Sequence, residues 1–78
     1  MRELLEFLTT TLVDNPSQVK ISQNLRGGEV HLQMQVSKED MGRVIGKGGR
    51  VANAMRLLLN VAAAQQGKRV SLDINEPD

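Results

Sequence analysis

The chain has 78 residues and no cysteine, which excludes disulfides and thiolate metal sites and leaves room for one small domain, residues 1–78, whose apolar positions must nearly all serve a single core. Its net charge of +1 hides an uneven distribution: residues 41–69 hold six basic and no acidic residues (+6), and the remainder, with four basic and nine acidic residues, is −5. A basic half of this kind attracts a polyanion locally, whereas the single aromatic residue, Phe7, excludes a stacking platform for bases.

From the N-terminus, Leu4, Leu5, Leu8 and Leu12 share one face at helical spacing, so residues 2–13 are predicted to form an amphipathic helix. Acids lie where a secretory segment would be apolar, and no run approaches membrane-spanning length; a cytoplasmic protein without a membrane partner is expected. Asp14-Asn15-Pro16-Ser17 stops the helix. Val19, Ile21 and Leu25 at even spacing, then Val30, Leu32, Met34 and Val36 in alternation, predict two strands joined by the turn Arg26-Gly27-Gly28-Glu29. His31 falls on the polar phase and is read as a solvated strand residue rather than a ligand.

Ser37, three residues ahead of Asp40, suggests a loose capping box opening a short helix that buries Met41, Val44 and Ile45. A glycine-rich loop, Gly46-Lys47-Gly48-Gly49, interrupts the helical pattern. From Arg50 a second helix is predicted to about Gln66, with Gly67 as its stop and Lys68-Arg69 near the negative end of its dipole. Val70, Leu72 and Ile74 alternate with polar residues in a third strand, followed by a short acidic tail. The fold class is α+β, ordered α-β-β-α-α-β, with a three-stranded sheet covered on one face by three helices.

Glycine at this density lets a nucleotide backbone approach the peptide, while Lys47 and Arg50 add charge and the next helix presents free N–H groups. Val44-Ile45-Gly46-Lys47-Gly48-Gly49-Arg50-Val51, set between two helices and ahead of a strand, resembles the GxxG signature of the KH domain, and the element order resembles its type II arrangement. The small stand-alone chain is similar to the KhpA family of bacterial RNA-binding proteins. That resemblance implies binding of about four nucleotides of single-stranded RNA. It makes Gly46, Lys47, Gly48 and Gly49 the backbone clamp, with Ile45, Val51 and Ala52 lining an apolar groove. Arg43 and Arg50 become phosphate partners, and Lys68 and Arg69 close the far side. It further implies an RNA chaperone or post-transcriptional regulator working with a KhpB (Jag) type protein, linked in some bacteria to cell-wall synthesis and cell shape, with no cofactor or metal.

The rival phosphate site, a P-loop, fails because three rather than four residues separate Gly42 from Gly46, and Gly48 follows Lys47 where Ser or Thr must hold magnesium. One histidine, no cysteine, and serines confined to caps and turns leave no nucleophile with an oriented base, so no enzyme is expected. A helix-turn-helix needs polar, base-reading residues where Arg50-Val51-Ala52-Asn53-Ala54 is apolar. The plainest alternative is an interaction module in which the glycines only turn the chain and the charges are a solvated face.

The long helix carries two apolar faces. Val51, Ala54, Met55, Leu58, Leu59 and Ala62 are expected to pack on the sheet, leaving Leu57, Val61 and Ala64 as a second stripe. That stripe calls either for an internal layer, for which the first helix is the candidate, or for a partner, most simply a second copy in a homodimer.

Overall fold

The computed structural model describes residues 1–76, so Asp78 of the acidic tail lies outside the described residues. The elements are α1 (Arg2–Leu12), β1 (Lys20–Arg26), β2 (Glu29–Gln35), α2 (Met41–Ile45), α3 (Arg50–Ala64) and β3 (Arg69–Asn75). Single 3-10 turns occupy Pro16–Gln18, Lys38–Asp40 and Lys47–Gly49. This is the predicted α+β order, with three helices on one face of a three-stranded sheet.

β1 and β2 form an antiparallel hairpin, Lys20 opposite Gln35 through Arg26 opposite Glu29. The two-residue turn relies on Gly27 at φ 58°. β2 then pairs parallel with β3, Glu29 beside Arg69 through Gln35 beside Asn75, so β2 is central and both other strands are edges. A parallel pair requires a crossover, and α2, the glycine loop and α3 supply it. The core lies between the layers: Ile21, Val30, Leu32, Met34 and Leu72 from the sheet against Leu5, Val44, Met55 and Leu59 from the helices. On the opposite face of the sheet, half-buried His31 bonds Ser71 through Nδ1 and Asp73 through Nε2, the latter at 3.2 Å.

Several details differ from the sequence reading. α1 ends at Leu12, because Val13 turns extended (φ −98°, ψ 154°) and buries its own side chain. Thr9 belongs to the buried face; its hydroxyl donates to Met34 Sδ at 2.9 Å, which satisfies the one polar atom it brings inside. Leu25 is 61% exposed rather than core, because the helices leave the outer half of edge strand β1 uncovered. α3 stops at Ala64, two residues early, and closes through Lys68 N–H to Ala63 O (2.9 Å) with Gly67 at φ 68°.

The face that α3 turns to the sheet is centred on Ala52, Met55, Leu59 and Ala63. Ala54 and Leu58, expected there, are exposed. The small side chains of Ala52 and Ala63 let the helix sit close, and Arg56, tied to β3, fixes its rotation. Leu57 (65%) and Val61 (52%) are exposed, as is Ala64; α1 does not cover them.

Candidate nucleic-acid interface

The loop between α2 and α3 holds three residues at positive φ: Gly46 (76°), Gly48 (64°) and Gly49 (79°). Two of these glycines serve different needs. At Gly46 a Cβ would meet Val51 Cγ2 at 2.5 Å and Val51 N at 2.9 Å, so bare backbone is required by the chain's own packing. At Gly48 nothing lies within 4 Å of that position, leaving peptide open to an outside ligand. Gly49, left-handed, ends the loop and caps α3, whose first turn has neither a side-chain cap nor an acid. The Arg50 N–H is taken by Lys47 O, and the N–H groups that follow it in this turn face no side-chain acceptor, an arrangement that suits an anion.

Among the described residues, Lys47 and Arg50 are exposed and form no ion pair. Ile45 and Val51 are half-buried beside them. Two expected members stand differently. Ala52, expected to line the groove, is only 2% exposed and supports it from beneath, because its position on α3 faces the sheet. Arg43, expected at the phosphates, sends its guanidinium to Asp14 on the connection after α1 (2.8 Å) and toward Asp40 in the turn ahead of α2 (3.8 Å). Lys68 and Arg69 lie past the opposite end of α3, which with 15 residues spans roughly 22 Å at about 1.5 Å per residue. There Arg69 adjoins Arg26 and the hairpin turn rather than the loop, with its N–H bonded to Gly28 O at 2.9 Å.

Between α3 and β3 runs a shallow cleft lined by Arg56, Leu59, Asn60, Val70, Ser71 and Leu72. Arg56, absent from the sequence-based site, crosses it: Nε and Nη2 donate to Leu72 O at 3.3 and 3.1 Å, and Nη1 donates to Asn53 Oδ1 at 3.4 Å. Its signal in the sequence was faint, a lone arginine beside a core methionine.

In the sequence, Asp40 stands out only as part of a cap. Ser37 Oγ does accept the Asp40 N–H (3.3 Å), but the buried Asp40 carboxylate turns away to accept N–H groups from Asp14 (3.1 Å) and Asn15 (3.0 Å), the Asn15 side chain and the Ser37 hydroxyl. Burial acts to raise its pKa; the bonds from Asp14, Asn15 and Ser37 outweigh it and hold the carboxyl below its ordinary value. This knot pins the start of α2, and with it the glycine loop, to the end of α1.

The family model for the "KhpA/KhpB, KH domain" matches residues 2–74. The chain belongs to the KhpA/KhpB KH-domain family. Similar members include the RNA-binding protein KhpA of Halalkalibacterium halodurans, 43% identical over 95% of this chain and 97% of that one. The RNA-binding protein KhpA of Clostridium perfringens is 42% identical over 95% and 99%. That of Listeria monocytogenes is 41% identical over 97% and 100%. Among solved structures, Era of Aquifex aeolicus bound to GDP and aluminium fluoride aligns with a TM-score of 0.67 at 16% identity, over 96% of this chain and 30% of Era. Era in complex with a nucleotide analogue and a segment of 16S ribosomal RNA aligns at 0.57 and 18% identity, over 95% of this chain and 28% of Era. The KhpA/KhpB chain thus spans under a third of Era, and the likeness is one of fold. No helix among its described residues is long and apolar enough to cross a membrane.

Proposed function

We propose that the chain binds single-stranded RNA, with Gly46, Lys47, Gly48 and Gly49 gripping the sugar-phosphate backbone and the bases lying along the α3–β3 cleft. The observation that carries this reading is the open peptide at Gly48, flanked by Lys47 and Arg50 with no acid among the described residues paired to either, at the start of α3, which has no side-chain cap. Phosphate oxygens supply the acceptors that those N–H groups and cations lack. Ile45 and Val51 give the first base an apolar wall, and Lys68 and Arg69 meet a strand that runs the length of the cleft. The names of the similar proteins support the same ligand class. No stacking residue reinforces the grip, so affinity rests mainly on the backbone and sequence preference is modest. The role that follows is that of a non-enzymatic cytoplasmic RNA chaperone or post-transcriptional regulator. It works with a KhpB-type protein or a second copy, for which Leu57, Val61 and Ala64 offer an apolar surface.

Replacing Lys47 and Gly48 together by Asp tests the clamp. RNA affinity at low salt should fall at least tenfold, while circular dichroism stays that of the parent. Unchanged affinity would leave the loop as a turn and favour an interaction module.

A further inference from the structure

The polar groups along the outer edge of β3 differ from those of an ordinary bare strand edge. Arg69 donates its N–H to Gly28 O (2.9 Å) and Asn75 O accepts from Val36 N–H (3.1 Å), so the odd-numbered residues of β3 direct their backbone groups at β2. By strand alternation, Val70, Leu72 and Ile74 direct theirs at the free edge. There the Leu72 carbonyl lies between its own N–H and the Ile74 N–H, an acceptor next to a donor. Left bare, that pair suits the hydrogen-bonding edge of a base carrying an amino group, such as cytosine or adenine.

Arg56 removes the acceptor. Two of its N–H groups converge on the Leu72 oxygen at 3.3 and 3.1 Å and so occupy both lone pairs. A third goes to Asn53. Of the five N–H donors of a guanidinium two remain for a ligand, and the Ile74 N–H remains beside them. This stretch of the cleft therefore presents donors where a bare strand would alternate.

We propose that Arg56 is a specificity-determining residue: by covering the Leu72 carbonyl with a guanidinium, it makes the α3–β3 cleft favour bases with a keto oxygen at position 4 of a pyrimidine or position 6 of a purine, uracil and guanine, over those with an amino group there, cytosine and adenine. The proposal rests on the RNA-binding reading above and adds the base chemistry. An amino group brought to this point meets only other donors, and both partners lose their hydrogen bonds to water without replacement.

Oligouridine and oligocytidine dodecamers make a clean pair, because they carry the same phosphates and differ at position 4 of the ring as keto against amino. In fluorescence anisotropy at one salt concentration, the wild-type protein should bind the uridine strand roughly three- to tenfold more tightly. Arg56→Met keeps the length of the stem but removes the guanidinium, and should bring the ratio to about one or below. Lys47→Asp with Gly48→Asp should weaken both strands alike. A wild-type ratio of one, a preference for cytidine, or an Arg56→Met variant that keeps the uridine preference would overturn the assignment of Arg56 while leaving RNA binding in place. Failure to bind either strand would overturn both. The wild-type ratio needs no variant, so a poorly folded Arg56→Met protein does not shield the proposal. An arm with oligoguanosine and oligoadenosine separates a general keto preference from one for uracil alone.

Discussion

A Cβ on Gly46 would lie 2.5 Å from Cγ2 of Val51, so the residue that opens the loop and the residue that starts the α3 core are fitted to each other through a missing methyl group. Gly46→Ala forces this contact apart and places a side chain at φ 76°. It should cost about 1–3 kcal/mol, read as a fall in Tm. Gly42 is the counter-case, inside α2 with nothing within 4 Å of its Cβ position and no positive φ. Gly42→Ala should raise stability by about 0.5–1 kcal/mol, chiefly by restricting the unfolded chain. Parallel thermal melts that ranked the two variants the other way would contradict the loop geometry.

Salt dependence measures how many phosphates the basic segment neutralises. If Lys47, Arg50 and the α3 start meet two to four of them, log affinity against log salt should slope at roughly −1.5 to −3, at about −0.7 per phosphate for single strands. A flat titration would reduce the charges to a solvated face.

The Asp40 knot predicts acid sensitivity. Because the folded state holds this carboxyl below its ordinary value, its stabilisation is complete above the unfolded value of about 3.9 and is lost as pH falls through the lower folded value. Tm should drop across that acid range. Asp40→Asn should lower Tm at neutral pH and shrink the acid drop, whereas Asp14→Asn, at an exposed pair with Arg43, should change Tm little.

The stripe on α3 predicts association. Leu57 and Val61 stand at 65% and 52% exposure on a helix whose other face is already buried. Replacing both with Gln or Ser should leave folding intact and lower the mass seen by sedimentation to that of a monomer. A parent protein that is monomeric at every concentration would reserve the surface for a different partner or for none.

Much of the fold was legible because the alternation of Val30, Leu32, Met34 and Val36, and of Val70, Leu72 and Ile74, has one physical reading as half-buried strands. The glycine loop was legible because three left-handed residues in four positions leave glycine as the residue that fits. Helical phase was harder. Counting apolar residues gave Leu58 and Ala54 to the sheet, since periodicity weighs hydrophobicity and is blind to the advantage of small Ala52 and Ala63 at a close approach. The roles of Asp40 and Arg56 depend on partners 25 and 16 residues away along the chain. No local pattern announces such bonds.

The parallel pairing of β2 with β3 also bears on when the protein becomes able to work. The β1–β2 hairpin closes over two residues, whereas Glu29 finds Arg69 only after both crossover helices have been laid down between them. Loop-closure entropy places that pairing late. The cleft has α3 as one wall and β3 as the other, so it comes into being with this last closure. We expect stopped-flow refolding to show secondary structure gained before a labelled oligonucleotide is captured. On the proposed binding mode, an RNA holding both walls would select finished molecules from unfinished ones and stabilise them by mass action.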